Sequence, residues 1–231
     1  MDRIVMITGS TRGIGFATAA EFLKAGDRLA IFCRHSNHVE EAKRLLVSFG
    51  NQASILAVVG DVRKAADVKR MIAQCLKRFG RIDILINNAG TGALNPIEKM
   101  SEKEWDDVLD TNLKGPFLFM RQVIPIMKKQ GKGIIINISS GLGVVGMANL
   151  SAYCASKFGV IGLTQVAADE TTNSGIKVYA VLPGAVNTQL VKGSGFDLDP
   201  SRLMSPEHVA ERIFKLAEGE EKSGRSIEVY S

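Results

Sequence analysis

The stretch Ile4-Val5-Met6-Ile7-Thr8-Gly9-Ser10-Thr11-Arg12-Gly13-Ile14-Gly15 runs from an apolar, strand-like segment through a glycine-rich turn and into a helix-forming one. Three glycines let the backbone turn tightly and approach a pyrophosphate closely. The N-terminus of the following helix offers free N–H groups and the positive end of its dipole to the same anion. The interval between the first two glycines is longer than in G-x-G-x-x-G. A glycine turn after a strand can also be no more than a tight connection, so the rest of the chain has to choose between the two readings.

Apolar runs of strand length recur along the chain and alternate with longer amphipathic segments. Arg3–Thr8, Arg28–Cys33, Ser54–Gly60, Ile82–Asn87, Gly133–Ser139 and Lys177–Leu182 are rich in Ile, Val and Leu with little polar alternation, as suits strands covered on both faces. Helices are expected over Gly13–Ala25, His38–Phe49, Lys64–Phe79, Glu102–Lys129 and Ser151–Asn173, the fourth interrupted or kinked at Pro116 and Pro125. A last helix near Glu207–Ala217 leads to a short strand at Ser226–Tyr230. Repeated β-α-β alternation predicts a doubly wound α/β fold with a parallel sheet and right-handed crossovers. At 231 residues, with no repeat or linker, a single domain is expected over 1–231, with a cofactor half to about residue 90 and a catalytic half after it. Ligands of such sheets bind beyond the carboxyl ends of the strands, where the unusual residues of this chain fall.

Composition narrows the function classes. Hydrophobic residues make up 45% and charged residues 23%, an ordinary globular mixture. The net charge is +5, but acids are interleaved with bases and no basic helix or aromatic platform stands out, so nucleic acid is not an expected partner. A mild positive excess suits anionic small ligands equally well. Cys33, Cys75 and Cys154 are widely spaced and odd in number, which points to free thiols in a reducing compartment. The chain enters a strand directly after Met-Asp-Arg, and no apolar run approaches the roughly 20 residues of a membrane span. A cytoplasmic protein with no membrane or metal partner is expected. His35, His38 and His208 are read as surface or capping residues away from the chemistry. Trp105, Phe117 and Phe119 are read as core or interface.

The second strand ends Phe32-Cys33-Arg34-His35, where folds specific for NAD place an acid for the ribose 2′-hydroxyl. Arg34 here, and Arg12 in the glycine turn, can converge on a 2′-phosphate, to which guanidinium forks are matched. Either arginine alone is as readily a solvated surface residue. Asp61-Val62, after the third strand, would border the adenine.

Tyr153 and Lys157 stand four residues apart in a helical segment and so share one face. A tyrosine with its ordinary pKa near 10 is a poor base, and a nearby ammonium lowers that pKa. The phenol can then exchange a proton with an alcohol or carbonyl oxygen, to which Ser140 can also hydrogen-bond. Ser139 stands beside it as an alternative. The spacing alone is weak, and gains force from the phosphate turn on the same sheet.

These residues, taken in order, resemble the short-chain dehydrogenase/reductase family over nearly the whole chain. The resemblance rests on Thr8–Gly15, Asp61, Asn87-Asn88-Ala89-Gly90, Asn112, Ser140, Tyr153-Cys154-Ala155-Ser156-Lys157, and Pro183-Gly184 with Thr188. It implies a seven-stranded, mostly parallel Rossmann-type sheet with helices on both faces, and hydride transfer at a nicotinamide. By this resemblance Ser140, at the family's thirteen-residue interval from Tyr153, orients the carbonyl, and Tyr153 gives the proton. Lys157 binds the nicotinamide ribose and lowers the tyrosine pKa, and Asn112 holds a water of the proton relay. Gly9, Ser10, Thr11, Arg12, Gly13, Ile14, Gly15, Arg34, Asp61, Val62, Asn88, Ala89, Gly90, Pro183, Gly184, Val186 and Thr188 would hold NADP(H), Thr188 at its carboxamide.

Within the family the chain is most similar to 3-oxoacyl-(acyl-carrier-protein) reductases, which use NADPH. It departs from them in ending Ile227-Glu228-Val229-Tyr230-Ser231 without an Asp-Gly-Gly, in carrying Ser174 at a carrier-docking arginine, and in a short substrate loop at about Gln189–Leu203 with Gly193-Ser194-Gly195. Lys128, Lys129 and Lys132 keep a basic patch near that position. The resemblance therefore implies a small carbonyl substrate, carried on an acyl carrier protein or free as another ketone, sugar, quinone or steroid-like carbonyl. It also implies a homodimer through the long fourth and fifth helices, or a homotetramer whose second interface uses the last helix and strand. A non-catalytic NADPH sensor is the alternative of a different class, although such a binder needs no depressed tyrosine pKa.

Overall fold

The computed structural model describes residues 2–192, 199–219 and 221–230. Its centre is one parallel sheet of seven strands: β1 (Ile4–Thr8), β2 (Arg28–Cys33), β3 (Ile55–Val59), β4 (Ile84–Asn87), β5 (Gly133–Ile138), β6 (Ile176–Pro183) and β7 (Ser226–Val229). They lie side by side in the order β3-β2-β1-β4-β5-β6-β7, every neighbouring pair parallel, so the expected "mostly parallel" sheet is parallel throughout.

Residue alternation sorts each strand between two apolar layers. From β1, Val5 and Ile7 point to the face covered by α1 (Gly13–Lys24), α2 (Ser36–Leu46) and, later in the chain, the helix Pro206–Leu216. Ile4 and Met6 point to the opposite face, covered by α3 (Ala65–Phe79) and by helices in the 115–130 and 151–170 segments. β1 is wholly buried on both sides, which is why it reads as an unbroken apolar run.

The long segment expected over Glu102–Lys129 is broken. α4 (Glu102–Leu109) opens on a capping box, Ser101 with Glu104, and passes into a π-helical turn at Asp110–Lys114 before α5 (Gly115–Gln130) begins. Pro116 stands in the first turn of α5, where a missing N–H is tolerated, and Pro125 is carried inside the helix. The break thus falls just ahead of Pro116, whose nitrogen has no proton to give to the Asn112 carbonyl four residues back. α6 (Ser151–Glu170) follows β5, then α7 (Gln189–Lys192) and α8 (Pro206–Leu216). Gly193-Ser194-Gly195 of the substrate loop lies outside the described residues.

The chain leaves β1 toward β2 on one side, and strands β4 to β7 build out on the other. The sheet's switch point therefore falls between β1 and β4, and a crevice opens above their carboxyl ends. Among the described residues no helix is long and apolar enough to cross a membrane, and no cluster of three or more His, Cys, Asp or Glu is placed to hold a metal.

Candidate active site

The crevice is a cleft of about 750 Å³ running across the strand ends from Arg34 and Asp61 to Tyr153 and Lys157. The glycine turn forms its floor. Gly9 has φ +63°, and a Cβ there would lie 2.8 Å from the Ala89 Cα. A Cβ on Gly15 would lie 2.3 Å from the Gly9 carbonyl oxygen and 2.4 Å from the Asn88 amide nitrogen. These glycines bring the turn after β1 against the turn after β4, and Asn88 fastens the two by donating to the Thr8 and Gly9 carbonyls at 3.0 and 2.9 Å. Thr8 Oγ1 accepts from the Asn88 and Ala89 N–H groups at 3.0 Å each. α1 starts with no side-chain cap and no acid in its first turn, so its leading N–H groups remain available to an anion.

Most of the expected binding residues line this cleft: Gly9, Thr11, Arg12, Gly13, Ile14, Arg34, Asp61, Val62, Asn88, Ala89, Gly90, Pro183, Gly184, Val186 and Thr188. Ser10 and Gly15 do not. Ser10 is buried, its Oγ accepting from the Phe32 N–H at 2.9 Å, and Gly15 is packed beneath the turn. Arg12 and Arg34 are both exposed at the cleft. Arg12, however, donates to Gln189 of α7 on the far wall, so in this structure it does not converge with Arg34.

Asp61 is clamped by Arg63, whose Nε and Nη2 reach its carboxylate at 3.0 and 2.7 Å while Nη1 reaches Asp107 at 2.6 Å. Burial pushes the Asp61 carboxyl up, but the Arg63 hydrogen bonds and the Arg63 and Arg34 charges outweigh it and hold the group below its usual range.

At the other end of the cleft, α6 presents Tyr153 and Lys157 one turn apart, and the end of β5 presents Ser140. The Ser140 Oγ accepts from the Leu142 N–H at 3.1 Å and lies near enough to the Tyr153 phenol to draw its pKa down. Ser139 faces inward and donates to the Lys157 carbonyl at 2.9 Å, which separates the two serines: one bears on the phenol, the other on the helix backbone. Lys157 is buried, donates to the Ile138 carbonyl at 2.8 Å, and has its Nζ 5.5 Å from the centre of the Tyr153 ring. Burial alone brings its ammonium down to about 8.

The tyrosine departs from expectation. Burial drives its phenol above the ordinary value, the nearby Ser140 hydroxyl pulls it only partly back, and the lysine does not bring it below. Removing the phenolate from water outweighs the attraction of an ammonium that is itself desolvated and turned to a backbone carbonyl.

Asn112 is buried and does not line the cleft. Its side-chain nitrogen donates to the Thr91 carbonyl at 2.9 Å and to Ser156 Oγ at 3.0 Å, and its oxygen accepts from the Thr91 N–H at 2.8 Å. Ser156 in turn donates to the Tyr153 carbonyl at 2.7 Å. The π turn thereby ties the loop after β4 to the helix that carries the tyrosine. Sequence reasoning set His35 and His38 away from the chemistry and gave no role to Thr91, Thr111 or Asn187, yet all five line the cleft, as do Ser139, weighed beside Ser140, and Gln189 and Leu190, which open the expected substrate loop. His35, Thr91, Thr111 and Asn187 each adjoin a residue already singled out, and that adjacency was the available signal; His38 lies within α2 and had none. The two histidines stand at the Arg34 end, away from Tyr153.

The geometry can therefore take an elongated, anionic ligand along the switch point and hold a proton donor at its far end. The model of the short chain dehydrogenase family matches residues 3–197. Levodione reductase of Leifsonia aquatica is 38% identical over 216 residues, 93% of this chain and 80% of that one. The 3-oxoacyl-(acyl-carrier-protein) reductase of Staphylococcus epidermidis is 38% identical over 203 residues, 88% and 83% of the two chains. A crystal structure of levodione reductase superposes with a TM-score of 0.95 at 33% identity, covering 100% of this chain and 96% of the other. With its fold, its cleft and these relatives in agreement, the chain belongs to the short-chain dehydrogenase/reductase family of oxidoreductases.

Proposed function

We propose that the protein, acting as one unit over its whole length, is an NADP(H)-dependent reductase of a small carbonyl compound, with Tyr153 as its proton donor. The observation that carries this reading is the placement of Ser140, Tyr153 and Lys157 at one end of a cleft whose other end holds Arg34 and no acid at the close of β2. The cofactor fits what lines the cleft: an uncapped helix start over a glycine turn for the pyrophosphate, Asp61 and Val62 for the adenine side, and Gly90, Thr188 and Lys157 for the nicotinamide side. When bound, NADPH supplies the hydride.

This chain's residues do the rest. Ser140 Oγ and the Tyr153 phenol converge on the place a carbonyl oxygen would occupy. A phenol held above its ordinary pKa is protonated at neutral pH and so ready to donate as negative charge develops there. Lys157 contributes its cation to the ribose hydroxyls and to that transition-state charge. Asn112 acts as a positioning residue through Ser156 and Thr91, and would hold the relay water.

The neighbouring reductases, named for levodione and for 3-oxoacyl-(acyl-carrier-protein), motivate two substrate classes, small ketones and 3-oxoacyl thioesters. Three free thiols suit the reducing cytoplasm. An apolar groove between the π turn and α6, lined by Leu113, Phe117, Gly159, Gly162, Leu163 and Val166, suits self-association into a dimer. The test is consumption of NADPH and NADH against a side-by-side panel of cyclic diketones, acetoacetyl thioesters, quinones and ketosteroids. NADPH oxidation by at least one class is expected; no turnover with any, despite tight NADPH binding, would favour the sensor reading.

A further inference from the structure

Strand alternation puts Asn87, Asn137 and Ser139 on the face of the sheet that carries Leu85 and Ile135, under α5 and α6. An apolar residue at either asparagine would continue that layer. Asn137 is instead fully buried and bonded at both ends of its amide. Its Oδ1 accepts from Nδ2 of Asn87, its register partner on β4, at 2.8 Å. Its Nδ2 donates to Oγ1 of Thr164 on α6 at 2.9 Å. Thr164 is buried too, and its own proton goes to the Val160 carbonyl at 2.8 Å, so the hydroxyl presents a lone pair to Asn137. Asn87 holds this amide in place while its own Oδ1 has no partner. A buried polar chain with an unmet acceptor is less stabilising than an apolar filling, so its use lies in the geometry it fixes.

Three successive residues at the end of β5 grip α6. The Ile138 carbonyl accepts from the Lys157 ammonium, Ser139 donates to the Lys157 carbonyl, and Asn137 donates to Thr164. The first two hold the helix at one residue, and Ser156, held by Asn112, adjoins the same point. About that point the helix could still pivot. Thr164 lies two turns beyond it, about 10 Å along the axis, and Tyr153 about 6 Å the other way. A shift of about 1 Å at Thr164 would swing Tyr153 by about 0.6 Å, more than the ~0.5 Å within which a catalytic group must be held. Apolar packing yields to such a shift, and a directional hydrogen bond resists it.

We propose that Asn137, through Thr164, is a positioning residue that fixes the tilt of α6 and so the place of the Tyr153 phenol. This rests on the reading of Tyr153 as proton donor and adds a residue on which its alignment depends.

The test is single-turnover reduction with NADPH, beside the NADPH Kd, for Thr164→Val, Thr164→Ser, Tyr153→Phe and the Thr164→Val/Tyr153→Phe double variant. Valine keeps the shape of threonine and leaves the Asn137 amide only the Met120 sulfur at 3.5 Å, a weak acceptor. For Thr164→Val the Kd should stay within about two-fold of wild type and the rate should fall by about ten-fold. Thr164→Ser keeps the hydroxyl and should recover most of that loss. In the Tyr153→Phe background, where no phenol is left to misplace, Thr164→Val should cost less than about two-fold. A general loosening of the scaffold would slow both backgrounds alike. Should Thr164→Val not fold, Thr164→Ala takes its place with the same expectations. An unchanged rate in Thr164→Val, or an equal loss in the Tyr153→Phe background, would overturn the positioning role and leave the proton-donor reading standing. A Tyr153→Phe enzyme at near the wild-type rate would overturn both.

Discussion

The Nζ of Lys157 lies 5.5 Å from the centre of the Tyr153 ring and donates a hydrogen bond to the Ile138 carbonyl at 2.8 Å. This places an ammonium inside the protein at a cost. Its pKa falls from 10.5 to about 8 because burial opposes the charged form. Below pH 8 the lysine is charged in both folded and unfolded chains, and the full penalty is present. Between about 8 and 10.5 the folded chain has lost the proton that the unfolded chain keeps, so stability from this group rises with pH.

Lys157→Met should therefore stabilise the fold at pH 7, by up to about 3 kcal/mol before the lost Ile138 hydrogen bond is subtracted. Its advantage over the wild type should shrink as pH rises toward 10. Paired denaturant melts at several pH values check this, and a variant less stable at pH 7 would mean the buried charge is well compensated. Activity should be lost in the same variant.

Arg63 grips Asp61 and Asp107 together, and only Asp61 lines the cleft. Arg63→Ala should free the Asp61 carboxylate, raise its pKa toward the ordinary range, and weaken NADPH and NADH alike by about ten-fold. Turnover at saturating cofactor should be unchanged. A loss confined to one cofactor would place Arg63 at the 2′-phosphate instead.

Arg34→Asp should weaken NADPH by at least about ten-fold and spare or improve NADH, since it substitutes an acid where a 2′-hydroxyl is read. Catalytic efficiencies with the two cofactors, compared between variant and wild type, decide this. Arg12, bonded to Gln189, should matter less to the preference.

Much of this was legible in the residues. Period and strand length marked all seven strands to within two residues, because strands such as Ile4–Thr8, buried on both faces, admit almost nothing but Ile, Val, Leu and Met. Tyr153 and Lys157 were readable because fixed spacing on one helix forces proximity, and Ser140 because the family resemblance fixes its interval to the tyrosine. Several features were not readable, each because it depends on contacts distant in sequence. Arg12 meets Gln189 across 177 residues, and no local pattern encodes that pairing. The direction of the Tyr153 shift depends on how deeply the phenol is buried, which spacing does not reveal. The π turn at Asp110–Lys114 is a compromise between Pro116 and the Asn112 contacts to Thr91 and Ser156, and helical periodicity reads straight through it.

Phe117 and Val166, 44% and 54% exposed, face the same apolar groove. If the groove is a self-association surface, light scattering of the wild type should give at least a dimer of the 24.9 kDa chain, and Val166→Glu should give monomer. A wild-type monomer at working concentration would refute the interface.

The central claim is that the Tyr153 hydroxyl delivers the proton. Tyr153→Phe removes that hydroxyl and keeps the ring. Single-turnover reduction of a carbonyl found active with the wild type, measured beside the NADPH Kd, tests it most directly. The expected result is a Kd within about two-fold of wild type and a rate lower by about 10² to 10⁴, the range for losing a general acid. A Tyr153→Phe enzyme that binds NADPH normally and reduces the substrate at near the wild-type rate would contradict the account.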